Sequence, residues 1–252
     1  MSRPLAGKRA LITGSSQGVG LATAHLFAQQ GAEVILHGNQ TLAQAEQAAR
    51  DIGSNALGAL KADLSAPGAG RGLYEAALER AHGRIDILVN NAGIHWATPL
   101  DASDTEWDNL WATTLQVNLM AVADLCRAAL PGMVAAGGGS IINIASRAGY
   151  RGEDREHMAY GASKGAVLSL TKTIARQWGA DGIYAYALAP GWIDTRMGPQ
   201  AEADRERARA EIPIGDLAQP GEIAAMCAFL ASGACRSATG SCIDINGASY
   251  VR

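Results

Sequence analysis

The chain has 252 residues, 48% of them hydrophobic and 18% charged, with a formal net charge of −3. That length can bury one sizeable core, so a single domain spanning 1–252 is predicted. The slight acidic excess gives no footprint for nucleic acid or an anionic membrane surface. Cys126, Cys227, Cys235 and Cys242 lie far apart without metal-ligand spacing, which predicts free thiols in a reducing, cytoplasmic setting and no metal site. The stretch MSRPLAGKRA lacks an apolar targeting core, and no later stretch approaches membrane-spanning length without Gly, Pro or charge.

Residues 9–13 form the first of seven short apolar runs, the others lying at 32–37, 56–61, 85–90, 140–145, 183–188 and 242–245. Segments of helical period separate most of them, starting at 21–28 and including long ones at roughly 104–135 and 157–178. This alternation predicts an α/β fold, a doubly wound parallel sheet of about seven strands with helices on both faces. GAGRG at 68–72 and AAGGGS at 135–140 read as loops, and the polar segment Met197 to Ile212 as either a solvated helix or a mobile lid. In such a sheet ligands gather at the carboxyl ends of the strands.

The first of those ends is TGSSQGVG, with Gly14, Gly18 and Gly20 where a strand hands over to a helix. Glycines there permit close approach, and a helix N-terminus offers free N–H groups to an anion, although a Gly-rich turn can be only a turn. Further ends carry Asp63-Leu64, then Asn90-Asn91-Ala92-Gly93, Ser146 and Pro190-Gly191. Each has a bland reading as a turn or cap. Their coincidence favours a ligand.

Tyr160 and Lys164 in AYGASKGAVLSLTKTIARQW are four residues apart, on one face of a helix. A phenol beside a cation titrates closer to neutrality and exchanges a proton with an alcohol or ketone; the alternative is a ring packed beside a surface lysine.

TGSSQGVG, NNAG, Ser146, YGASK and PGWIDT, in this order and spacing, resemble the short-chain dehydrogenase/reductase family over nearly the whole chain. The resemblance implies a seven-stranded Rossmann-like sheet, a nicotinamide cofactor, a small-molecule substrate and a homotetramer built through the two long helices. It implies Tyr160 as acid/base and Lys164 as the ribose ligand that lowers the phenol pKa. Ser146 would bond the substrate oxygen, and Asn118 would hold a water in the proton relay. Cofactor contacts fall on Gly14, Ser16, Gln17, Gly18, Val19, Gly20, His37, Gly38, Asn39, Asp63, Leu64, Asn91, Ala92, Gly93, Tyr160, Lys164, Pro190, Gly191, Ile193 and Thr195. Departures from the family pattern are a longer connection from Gly93 to Asn118, one extra residue between Ser146 and Tyr160, Tyr186 for an asparagine, and Asn246-Gly247-Ala248 near the end.

Around the expected site, Arg147, Arg151 and Arg155 alternate with Glu153, Asp154 and Glu156, which reads as a solvated, mutually paired loop. His95, Trp96, Tyr150, His157 and Trp192 are expected to rim the pocket, either for a hydroxylated substrate or as aromatic packing. The expected activity is hydride transfer between a nicotinamide and a small secondary alcohol or ketone, such as a sugar or hydroxy acid. A 3-oxoacyl-carrier-protein reductase would need a basic docking surface, which LPGMVAAGGGS and Asp181 do not supply. A non-catalytic dinucleotide-binding scaffold is the third class. At the end of the second strand Gly38 replaces the acid that repels a 2′-phosphate, while Asn39 and Gln17 stand where a base attracts one. His37, Asn39 and Gln17 can still meet a phosphate, so NADP is favoured with appreciable use of NAD; an NAD enzyme that has lost its acid is the alternative.

Overall fold

The computed structural model describes residues 3–252. Seven strands lie where the apolar runs predict them: β1 (Arg9–Ile12), β2 (Glu33–Gly38), β3 (Ala56–Lys61), β4 (Ile87–Asn90), β5 (Gly139–Ile144), β6 (Ile183–Pro190) and β7 (Cys242–Ile245). All neighbours pair in parallel, in the order β3-β2-β1-β4-β5-β6-β7. The chain begins mid-sheet, winds outward through β2 and β3, then returns to β4 beside β1. The carboxyl ends of β1 and β4 therefore flank the point where the winding reverses, where a crevice must open.

Successive strand residues face opposite sides, and two layers of helix cover them. Ala10 and Ile12 of β1, with Val34 and Leu36 of β2, pack on one face against α1 (Gly18–Gln29), α2 (Leu42–Ile52) and, near the chain end, α9 (Pro220–Ala231). Leu11 and Ile35 point the other way, toward α3 (Ala69–Arg80) and the long helices that follow. GAGRG is not a loop: Gly68 (φ +78°) starts α3, and a Cβ on Gly70 would stand 2.7 Å from the Ala121 carbonyl oxygen. These glycines serve a helix packed tightly on its neighbour rather than a turn. AAGGGS does form the expected turn into β5.

Residues 104–135 form one continuous helical element: α4 (Asp104–Leu115), a π-helical segment (Gln116–Met120) and α5 (Ala121–Ala135). Ser103 caps it by accepting the Glu106 N–H at 3.3 Å. By length and composition this element is apolar enough to cross a membrane, but Ala121, Leu125, Ala129 and Met133 are spent on the sheet. After β5 come the short α6 (Ala148–Arg151) and α7 (Met158–Trp178), and after β6 comes α8 (Glu202–Ala210). The polar segment 197–212 thus contains a helix, held to the strand-end loop by Arg205 and Asp194 at 2.7 Å.

Candidate active site

At the end of β1 the backbone turns through Gly14 in a left-handed conformation (φ +63°), and a Cβ there would lie 2.9 Å from Ala92 Cα. Gly20 is as constrained, since its Cβ would meet the Asn91 side chain and the Gly14 carbonyl at 2.5 Å. The loop is stitched to the NNAG segment: the Thr13 hydroxyl accepts the Asn91 and Ala92 N–H groups at 2.9 and 3.0 Å. Asn91 Nδ2 returns bonds to the Thr13 and Gly14 carbonyls at 2.9 and 3.1 Å. Gln17 precedes α1 without a side-chain cap, which leaves the helix N-terminal N–H groups available to an anion.

His37 overturns one expectation. Its Nδ1 accepts the Gly14 N–H at 3.0 Å and its Nε2 donates to the Ala62 carbonyl at 3.1 Å, so the ring is the neutral tautomer with both nitrogens engaged. Burial also pushes its pKa down. The imidazole braces the glycine loop and has no donor left for a phosphate. Gly38 also has a packing reason, because a Cβ there would stand 3.0–3.1 Å from the backbone of Thr41 and Leu42. Beside them Ser16 and Thr41 share a 2.6 Å hydroxyl contact, and Asp63 accepts from the Ser65 N–H and hydroxyl at 3.0 and 2.7 Å.

At the other end, Ser146 follows β5 and shares the cavity wall with the Tyr160 phenol, whose pKa it lowers. Lys164, one turn after Tyr160 on α7, is buried, donates to the Ile144 carbonyl at 2.8 Å and stands 5.7 Å from the Tyr160 ring centre. Burial pushes Lys164 down to about 8. The expected lowering of the phenol is not found: burial, with Glu153 adding to it, pushes Tyr160 up to about 12 against the lowering effect of Ser146. Desolvation of the phenolate outweighs a lysine that points at a carbonyl.

Asn118 lies in the π-helical segment with both ends of its carboxamide bonded. Its Oδ1 accepts the Ile94 N–H at 2.8 Å, and its Nδ2 donates to the Ile94 carbonyl at 2.9 Å and to the Ser163 hydroxyl at 3.1 Å. The side chain positions the Ile94 segment, and Gly93 beside it separates its Oδ1 from the Lys164 ammonium.

One cavity of about 1040 Å³ joins the two ends and is lined by every predicted site residue except Gly20 and Asn118, which pack behind it. Of the expected rim, His95, Trp96 and Trp192 line it while Tyr150 and His157 do not. Tyr150 lies under the Arg252 guanidinium at 3.8 Å. The loop of alternating charges is not uniformly solvated either: Arg147 is 3% exposed, bonded to Ser249, to Glu211 at 3.1 Å, and 5.7 Å from the Trp192 ring. Thr41, Ser65, Thr113 and Val117 also line the wall, and nothing in their local sequence marks them.

The cavity fits a dinucleotide. It runs from the strand ends of β2 and β3 past an open helix N-terminus to a half-buried phenol and a buried ammonium, and residues 37–41 and 62–65 bring neither Lys nor Arg to its far end.

Comparison with known proteins agrees with this geometry. Residues 14–248 match the family model described as Enoyl-(Acyl carrier protein) reductase. The chain is 36% identical over 250 residues to a 3-oxoacyl-(acyl-carrier-protein) reductase of Vibrio cholerae, covering 98% of this chain and 99% of that protein. It is 36% identical over 259 residues to the D-threitol dehydrogenase of Mycolicibacterium smegmatis, covering 96% and 93%. The solved structure of a short chain dehydrogenase from Burkholderia cenocepacia in complex with NADP superposes with a TM-score of 0.88 at 34% identity, covering 98% of this chain and 99% of that one. The chain belongs to the short-chain dehydrogenase/reductase family.

Proposed function

We propose that this oxidoreductase interconverts small secondary alcohols and ketones, with Tyr160 as acid/base, Ser146 as the ligand of the substrate oxygen and Lys164 as the ribose ligand. The observation that carries it is the placement of Ser146 and Tyr160 beside buried Lys164, in the same cavity as the glycine loop. When bound, the nicotinamide supplies or accepts the hydride. Ser146 fixes the carbinol or carbonyl oxygen and Tyr160 passes the proton at that oxygen. Asn118 holds Ile94, and through it the segment lining the cavity. Gly14, Ser16, Gln17, Gly18, Val19, Asn91, Ala92, Gly93, Pro190, Gly191, Ile193 and Thr195 would cradle the dinucleotide, with Gly38, Asn39, Asp63 and Leu64 at its adenosine.

NADP is the favoured cofactor, with appreciable use of NAD. The NADP complex of the Burkholderia relative and the absence of a carboxylate at the end of β2 support it. A cytoplasmic, single-domain homotetramer belongs to the same reading, supported by the half-exposed Met120 and by Met158 on the long helices. Light scattering tests the mass. A screen of secondary alcohols, sugars and hydroxy acids with each cofactor tests the activity; no turnover of any of them would sink it. The Vibrio relative favours a second reading, reduction of a 3-oxoacyl thioester, and acetoacetyl thioester reduction in the same screen discriminates the two.

A further inference from the structure

Tyr160 meets the edge of a second ring that this chemistry leaves unused. The His95 ring stands 4.5 Å from it at 89° and lies flat on His157, 3.9 Å away at 3°. His157 Nδ1 is bonded to Asp154 Oδ1 at 2.7 Å. Of the two imidazoles only His95 lines the cavity. Its backbone is clamped on both sides, by the paired bonds between Ile94 and Asn118 and by Thr98, whose N–H and hydroxyl both donate to the Glu156 carbonyl at 2.6 and 3.1 Å. The ring is held before any substrate arrives, a condition under which little ordering is lost on binding.

The charged and titratable groups around it are His157, Asp154 and Glu153 from the loop before α7, and Tyr160 and Lys164 from α7 itself. Burial, then the neighbouring His157, push His95 down to about 4, with Lys164 acting the same way and Asp154 opposing. At neutral pH the ring is uncharged, with one N–H donor and one acceptor nitrogen. Neither nitrogen has a hydrogen-bond partner among the described residues. A hydroxyl matches that pair, because it too both donates and accepts. A carboxylate only accepts, and it would face Glu153 on the same cavity wall. Of the two guanidiniums on the cavity wall, Arg147 is already engaged by Glu211 and Ser249, and Arg196 lies on the loop after β6 beside Thr195.

We infer that His95 is a specificity-determining residue that binds a second, uncharged hydroxyl next to the carbon whose oxygen meets Ser146 and Tyr160, so that the preferred substrates are neutral vicinal diols and the matching α-hydroxyketones. This deepens the proposed alcohol/ketone activity and rests on it. Oxidation removes one carbinol C–H as hydride, taken up by the oxidised nicotinamide that the activity requires, and one O–H proton, taken up by Tyr160 in its phenolate form. The neighbouring carbinol keeps all its bonds.

The test measures kcat/KM for butane-2,3-diol and butan-2-ol in wild type, His95→Phe and His95→Gln at saturating NADP. Wild type is expected to favour the diol by about tenfold or more, the scale of one well-placed hydrogen bond to a bound hydroxyl. His95→Phe keeps a ring against Tyr160 and His157 but loses the donor and acceptor. It should bring the ratio to within about twofold of unity while leaving butan-2-ol within about threefold of wild type, as expected when only uniform binding is removed. His95→Gln, which restores a donor and an acceptor, should retain part of the preference. NADPH binding by fluorescence at wild-type affinity marks both variants as folded. A wild type that prefers butan-2-ol, or an unchanged ratio in His95→Phe, overturns the inference and leaves the alcohol activity standing; turnover of neither substrate by wild type overturns both.

Discussion

The two ends of the cavity are built differently. At the β1–α1 end nearly every contact is backbone-anchored: Thr13, Asn91 and His37 bond to main-chain groups, and glycines stand where any Cβ would collide. At the other end the wall is made of side chains from separate loops, with His95 stacked on His157, Arg147 bridged to Glu211, and Lys164 buried beneath Tyr160. A backbone-built end recognises what every dinucleotide shares, phosphate and ribose. A side-chain-built end sets pKa values and discriminates substrates, and it can change without disturbing the first.

The comparison breaks most sharply at Lys164. Lys164→Met should lower turnover by about 10³-fold or more through loss of the ribose and proton-transfer geometry. The same variant should melt no lower than wild type, because holding the ammonium near 8 instead of 10.5 sets about 3 kcal/mol against the charged form, offset by one charge-assisted bond of roughly 1.5–3 kcal/mol. The sign on pH follows. Between about 8 and 10.5 the unfolded lysine holds a proton that the folded one has released, so this group makes stability rise with pH across that window. Thermal melts at pH 7 and 10 read the rise in wild type and its absence in Lys164→Met. A variant melting well below wild type would show that the Ile144 bond dominates.

Gly14→Ala tests the backbone-built end. With φ at +63° and Ala92 Cα 2.9 Å from the new carbon, it should cost about 1–3 kcal/mol of stability and weaken NADPH binding at least tenfold in a fluorescence titration. Unchanged binding would show that the loop does not seat the dinucleotide.

Smaller effects lie at the adenosine. Asn39→Arg should raise the NADP-to-NAD ratio of kcat/KM by about tenfold, roughly 1.4 kcal/mol, by giving a 2′-phosphate a cation. A wild type that prefers NAD by more than about tenfold would overturn the lean toward NADP. Gly38→Asp is the less clean probe, since its Cβ presses on Thr41 and Leu42 as well as adding charge. Smallest of all, Arg205→Ala at the half-exposed Asp194 pair should leave the melting temperature close to wild type, and a clear loss would give the α8 tether an energetic role that a pair so open to solvent does not predict.

Much of the first end was legible in the sequence, because backbone constraints leave residue-type marks. Apolar runs gave all seven strands, and Gly14, Gly20 and Asn91 announce close approach by being the residues that permit it. The second end was less so. Arg147 reads as one more charge in an alternating loop, and only the fold buries it against Trp192. His37 looks like a phosphate ligand until the glycine loop takes its Nδ1, and the π-helical turn at Asn118 leaves no periodicity to read. Glycines mislead when they serve packing, as Gly70 does beneath Ala121. His95 and His157 are 62 residues apart in the chain, and nothing local says that they stack.

The most direct test of this division of labour is Tyr160→Phe, assayed for turnover and NADPH binding in one preparation. The variant keeps the ring beside His95 and Lys164 and removes only the phenolic hydroxyl with its transferable proton. The account predicts that kcat falls by about 10²–10⁴-fold, the range for losing a general acid/base, while NADPH affinity stays within about threefold of wild type. Turnover within a few-fold of wild type would contradict it.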